Sequence, residues 1–321
     1  MKQENKIVSR ETWKFTNYFQ LFLESLYISA LFNAFIAILQ FFAQRDVYLY
    51  FLGESHLQIG SQNIATINFF GDKILRAYGL FPHPNVLAAF LLLTLTMAFL
   101  FRDFFVSRET KWSRLTSMFH VKQLGIFFIS IALFLTFSKV ALILGGILYL
   151  LSVSRETKEK YRNMFHVKHL ILAIVIFGII IFLNQKSFNE REFSLIEYAK
   201  TNAVTFFGNG IGTSYFYQEL SLKASMNPWV MQPVHSGLLI VLGELGIFGL
   251  LVYTYLFLGV LFSSSKKMFH VKQRCGSQLM IVFILILALG DHYFFTLPQG
   301  IFLFWIFLAL GSVNTLVLDN K

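Results

Sequence analysis

Long apolar runs recur along this chain, and the segments between them come in two alternating kinds. The runs lie near residues 19–43, 85–101, 123–138, 139–153, 169–184, 246–263, 277–291 and 299–317. A helix of roughly 20 apolar residues satisfies all its backbone polar groups internally, so it can cross a bilayer core. Of the 321 residues, 56% are hydrophobic and 39 are Phe. A soluble domain sits nearer about 45–50% apolar, so lipid is the expected solvent. The pattern predicts an all-α fold, a polytopic transmembrane helical bundle of about eight spans, with a large extracytoplasmic loop before the sixth.

One kind of connecting segment is rich in Lys and Arg: residues 1–18, 102–122, 154–169 and 264–274. The other is mixed in charge: residues 44–84, the turn at Ser138-Lys139, residues 185–235 and 291–299. The net charge of +10 invites a nucleic-acid reading. Its concentration in alternate loops instead fits the excess of basic residues on the inner face of membrane proteins. That rule puts both termini inside, so the partner of the chain is a lipid bilayer, and no nucleic acid is bound by the protein. It divides the chain into a cytoplasmic segment 1–18, one transmembrane domain 19–317 and a cytoplasmic tail 318–321. The outer loop 185–235 carries part of the site. Residues 123–153 must leave and return to the inside, which predicts a tight hairpin with Ser138-Lys139 at its outer turn. Residues 236–245 are read as a short half-buried helix before span six. The first run, Leu21–Phe42, is too long for a signal-peptide core and has no small-residue cleavage site after it. One cysteine, Cys275, excludes a disulfide framework and a thiolate metal cluster.

Two short strings repeat inside the basic segments. Val-Ser-Arg-Glu-Thr stands at 8–12, 106–110 and 153–157, and Met-Phe-His-Val-Lys at 118–122, 164–168 and 268–272. Their spacing fits no solenoid. As protein, they read as solvated basic loops. Back-translation offers a second reading. Both peptides can be decoded from one palindrome, GTTTCACGTGAAAC, in two frames, and that palindrome resembles a bacterial chromosome-partitioning site. On this reading His120, His166, His270 and the adjoining His169 are not candidate ligands or catalysts.

The remaining histidines, His56, His83, His235 and His292, fall on the expected outer side. His235 ends a polar loop and opens an apolar helix, where partial burial can hold an imidazole near neutrality as a base. The plainer alternative is an interfacial or capping histidine. Arg76 has Asp72 as its nearest acid in the sequence. Its guanidinium fork matches a diphosphate, or else it snorkels to the interface. Lys139 stands between two apolar stretches, where a charge is costly and has to face a cavity or the surface. Two cations converging with a base on one outer pocket suit a negatively charged lipid-linked substrate. Glu244 either pairs with a cation, orients His235 or forms a structural salt bridge. Residues 207–212, Phe-Gly-Asn-Gly-Ile-Gly, read as a flexible turn lining the cavity, not as a nucleotide fingerprint. Tyr215, Phe216, Tyr217 and Trp229 either stack on sugars or sit at the interface. Glu190, Glu192 and Glu197 are spaced as a solvated helix face, and no metal site is expected in this loop.

Taken in order, four pieces resemble the O-antigen ligase and O-antigen polymerase superfamily of bacterial membrane glycosyltransferases. They are Arg76-Ala-Tyr-Gly-Leu-Phe-Pro-His-Pro-Asn85, Thr136-Phe-Ser-Lys139, Gly208-Asn-Gly-Ile-Gly212, and His235-Ser-Gly-Leu238 with Glu244-Leu-Gly-Ile-Phe-Gly249. The resemblance covers about residues 65–315. Lys139 replaces the family's arginine, Ser236 replaces its common asparagine, and the chain has fewer spans than members usually carry. The resemblance implies a transferase of the bacterial cytoplasmic membrane that needs no metal and no cofactor. It would move a glycan from undecaprenyl diphosphate to a hydroxyl of an acceptor glycan, glycolipid or protein, with inversion. His235 would be the base, Arg76 and Lys139 would hold the diphosphate, and Glu244 and Asn85 would support them. A polymerase of the same superfamily and a non-enzymatic flippase of lipid-linked glycans are the alternatives.

Overall fold

The computed structural model describes residues 10–61, 64–69, 71–100, 118–156, 205–213, 234–263 and 271–312. The span expected at 169–184 and most of the loop 185–235 lie outside them, as do the repeat copies at 106–110 and 164–168. Among the described residues the chain is mostly helical. It forms α1 (Arg10–Ala43), α2 (Pro84–Leu100), α3 (Met118–Leu135), α4 (Lys139–Glu156), α5 (Gly237–Ser263), α6 (Val271–Gly290), α7 (Tyr293–Thr296) and α8 (Pro298–Ser312). The all-α expectation needs one amendment. Between α1 and α2, where a loop was expected, β1 (Thr66–Phe69) pairs antiparallel with β2 (Asp72–Leu75).

The helix boundaries have local causes. No Gly or Pro interrupts α1, and it stops where Gln44 turns left-handed at φ 55°. Pro84 opens α2 at the position where a missing N–H costs least. Leu297 is extended (φ −108°, ψ 130°), as the residue before Pro298 should be, and this separates α7 from α8. Residues 123–153 fall in α3, a short turn and α4, as expected, but α3 and α4 pack mainly against α1, α2 and α6 rather than on one another. The turn is Thr136–Ser138, with Phe137 at φ 49°.

α2 is the centre of the bundle. It packs against α1, α3, α4, α6 and α8. It is apolar all round, as a helix surrounded by others must be, and Val86, Leu87, Leu91, Leu92 and Leu93 are completely buried. α1 is different: Leu21, Ile28, Phe35 and Phe42 all point outward and are exposed. Two helical stretches, Gln20–Ala43 and Gly237–Gly259, are long and apolar enough to cross a membrane, and five shorter apolar helices accompany them.

α5 is not one continuous helix. Gly246 breaks it at φ 70°, ψ −165°, so the expected short helix before span six exists as the first part of α5. The segment 205–210 fills the break with backbone. Asn209 N donates to Gly243 O (2.9 Å) and Gly210 N to Glu244 O (2.9 Å). Ile247 N and Phe248 N donate back to Thr205 O (3.1 Å) and Phe206 O (3.0 Å). A methyl group on Gly208 would collide with the backbone of Glu244 and Gly246, and one on Gly246 with that of Thr205, Phe206 and Gly208. The glycine-rich element read above as a flexible turn is therefore a backbone splice, with its N–H groups spent on helix carbonyls.

Candidate active site

The site begins with how Arg76 is aimed. Gln40, on the last turn of α1, is completely buried. Its Oε1 accepts from Gly79 N (2.7 Å) and Tyr78 N (3.3 Å). Its Nε2 donates to Gly79 O (2.9 Å) and to Glu54 Oε1 (2.8 Å). Gln44 Oε1 accepts from Leu75 N at 2.7 Å. These bonds strap residues 75–79 to the end of α1 and replace the ladder partners that a loop lacks. Across the bundle, Ala77 N donates to Leu135 O (3.0 Å) and Arg76 Nε to Thr136 O (2.6 Å). The guanidinium thus sits at the C-terminal end of α3, where orphan carbonyls and the helix dipole favour a cation.

From Arg76 a chain of hydrogen bonds crosses to His235. Arg76 Nη2 donates to Asn85 Oδ1 at 2.7 Å, and Asn85 Nδ2 donates to Asp291 Oδ2 at 2.6 Å. Asp291 Oδ1 accepts from His292 N at 2.8 Å and stands 3.3 Å from His235 Nδ1. Asn85 lies in the first turn of α2, and Asp291 directly follows α6. His235 lies two residues before α5 begins. That start can approach α6 because residue 237 is glycine: a methyl there would strike the Ala288 carbonyl and the Phe295 ring. Asn85 and Asp291 are buried, whereas the His235 side chain remains 24% exposed. Buried polar groups satisfied this fully hold one geometry.

Two further histidines complete the cluster. The His292 ring lies 5.2 Å from that of His235, centroid to centroid, and its Nδ1 is 2.6 Å from Thr296 Oγ1. His83 Nδ1 accepts from Asn85 N at 3.2 Å. Burial, then the Arg76 charge, pushes His83 down to about 3, so its ring is neutral at any ordinary pH. Burial alone would raise the Asp291 carboxyl. The hydrogen bond to His235 and the nearby His292, His235 and His83 rings outweigh it and hold the group ionised, below the usual carboxylate range. An ionised carboxylate only accepts, so in neutral His235 the proton sits on Nδ1 and the lone pair on Nε2.

The residues singled out from the sequence are therefore divided. Arg76, Asn85 and His235 belong to one connected cluster. Lys139 opens α4, three positions beyond the carbonyl that holds Arg76, and is half-buried. The carboxylate that meets the His235 imidazole is Asp291, at 3.3 Å from Nδ1. Glu244 lies further along α5, at the break, where its carbonyl accepts from Gly210. His56 has a side chain 82% exposed beside Asp46 and takes no part in the bonds from Arg76 to His235. The sequence reading missed Asp291, and it named His83 and His292 among the outer-side histidines without giving them a role. The available signal was Gly-Asp-His at 290–292, a carboxylate and an imidazole directly closing an apolar run.

His235, Asp291 and His292 also offer three ligand atoms within 4.8 Å of one another. A cation there would compete with bonds already made, because both Asp291 oxygens accept from Asn85 Nδ2 and His292 N. The arrangement serves equally to fix an imidazole as a base. Comparisons with known protein families, with curated proteins and with solved structures return no match for this chain, so the site has to be read from its own chemistry.

Proposed function

We propose that the chain is a polytopic membrane glycosyltransferase of the O-antigen ligase type, acting on an undecaprenyl-diphosphate glycan at the outer face of the bacterial cytoplasmic membrane. The observation that carries this reading is the hydrogen-bonded chain Arg76–Asn85–Asp291–His235, which links a cation to a base. The exposed apolar side chains of α1 suit a lipid-facing surface. The cluster is built from the C-terminal ends of α1, α3 and α6 and the N-terminal ends of α2, α4 and α5. The Lys- and Arg-rich segments flank the opposite ends, and the positive-inside rule puts those ends in the cytoplasm.

The mechanism follows from the charges. The acceptor hydroxyl loses its proton to His235 Nε2 as its oxygen attacks the anomeric carbon. The bond from that carbon to the diphosphate oxygen breaks, and its electron pair leaves with the diphosphate, inverting the centre. Arg76 and Lys139 stabilise the growing negative charge, the task a metal ion performs elsewhere. Thr136 O and Asn85 fix the plane of the guanidinium. Asp291 keeps the His235 proton on Nδ1 and stabilises the imidazolium once formed. Asn85 sets both distances, since its amide bonds to Arg76 on one side and to Asp291 on the other.

The test is His235→Ala in proteoliposomes containing a lipid-linked glycan donor. Transfer is expected to fall about 10²–10⁴-fold, the usual contribution of a positioned base, with donor binding retained. Full transfer by this variant would reject the base. Unchanged donor movement across the bilayer, with no transfer by either protein, would favour a flippase.

A further inference from the structure

We infer that the six repeated pentapeptides are the translation of one palindromic DNA word, GTTTCACGTGAAAC, and that the gene is a binding locus for a two-fold-symmetric DNA-binding protein. The genetic code carries the first step. Read from its first base, the word gives Val-Ser-Arg-Glu-Thr. Read from its second base, it gives Phe-His-Val-Lys, preceded by a codon ending in G and followed by one beginning with C. Each of the three copies is indeed preceded by Met, whose codon is ATG, and followed by Gln123, His169 or Gln273, whose codons begin CA. The third frame contains TGA, a stop. Because the word is its own reverse complement, inversion adds no other peptide. A gene can therefore host it only as these two peptides, and both occur, three times each. A peptide-level role would require two unrelated motifs with two separate explanations.

The fold explains why the protein tolerates them. Where copies reach the described residues, they occupy helix ends: the start of α1, the start of α3, the end of α4 and the start of α6. In each of these helices the opposite end carries the Arg76–His235 cluster or the straps that aim it. Gln40 and Gln44 close α1, the Leu135 carbonyl closes α3, Lys139 opens α4, and Asp291 follows α6. The described parts of these four copies thus lie at the far ends of their helices from the Arg76–His235 cluster. A palindrome is read by a dimer whose own two-fold axis matches that of the DNA.

The coding strand is the first test. An unbroken GTTTCACGTGAAAC is expected at all six copies, although Val, Ser and Arg each have many synonymous codons. Synonyms that interrupt the word at most copies overturn the inference. The second test is footprinting of the gene with host extract. Protection is expected over the copies, removed by a competing duplex of the word but not by one with its central CACGTG scrambled. A synonymously recoded gene, which encodes an identical protein, should lose protection. Protection that survives recoding, or none on the native gene, overturns the DNA-binding partner. Replacing residues 106–110 by a Gly/Ser run of equal length should leave glycan transfer within about 3-fold of the unaltered protein, an energy change well under the 1.4 kcal/mol of a tenfold effect. A fall beyond tenfold would return the role to the peptide.

Discussion

Two glycine-bearing segments, residues 75–85 and 205–212, look alike in sequence and do opposite work. In the first, the backbone is strapped to α1 by Gln40 and Gln44, which leaves Arg76 and Asn85 to reach across the bundle through their side chains. In the second, the side chains take no part in the pairing, and the backbone itself closes the break at Gly246. Glycine and turn residues alone do not distinguish a ligand loop from a splice. What separates them is whether buried polar side chains converge, as Asn85 and Asp291 do.

The contrast can be broken most severely at the splice. Gly246→Ala forces a side chain into backbone atoms at a left-handed φ and should cost more than about 4 kcal/mol, among the large single-site effects. Folded yield and the melting curve in detergent report it, and a melt like that of the unaltered protein would refute the splice. The side-chain site should respond the other way, losing function before fold. Asp291→Asn should lower transfer about 10²-fold, within the range of a base that has lost its orientation, while stability falls by only the ~1–3 kcal/mol of one mispaired buried group, since its amide nitrogen must face a donor where Asp291 accepted two. An equal loss of fold and rate would make Asp291 merely structural.

Between these extremes, Asn85→Asp is nearly isosteric but turns a donor into an acceptor facing Asp291 Oδ2, now 2.6 Å away. It should cost about 1–3 kcal/mol, the penalty for a buried group left unpaired, read as a lowered melting temperature. Acid should act more gently. His83 is held at about 3, against an ordinary value of 6.5. The unfolded chain therefore binds a proton that the folded one refuses, and stability falls as pH drops from about 6.5 towards 3. Asp291, also held low, adds its loss only below its ordinary 3.8. Melting temperatures from pH 7 to pH 4 should decline less in His83→Asn than in the unaltered protein, and parallel curves would exclude His83 as a cause. The smallest effect expected is none: a chelator should leave transfer unchanged. Its abolition by EDTA, with rescue by a divalent ion, would make His235, Asp291 and His292 a metal centre.

Much of this was legible in the sequence, for reasons specific to each residue. The apolar runs gave the helices because their length and uniformity leave little else for them to form. Ser138-Lys139 was found as a turn because basic segments bracket residues 123–153 and force a return. Arg76, Asn85 and His235 stood out as polar residues at the edges of apolar runs. Asp291 did not, because its importance is a contact with Asn85 across 206 positions, and no local pattern encodes that distance. Glu244, nine positions beyond His235, is the acid that local sequence offers as a candidate partner, whereas Asp291 lies 56 positions away. The splice was illegible for a related reason: its hydrogen bonds are backbone to backbone, and only the absence of side chains at Gly208 and Gly246 hinted at them.

The account stands or falls on whether Arg76 and His235 act through one connected unit. A double-mutant cycle of Arg76→Lys and Asp291→Asn, scored by single-turnover glycan transfer, tests this directly. The two losses are expected to be non-additive by about 0.5–3 kcal/mol, the range for residues in one network. Losses that simply add would mean that the guanidinium and the carboxylate work independently, and the proposed site would be two unrelated features of a helix bundle.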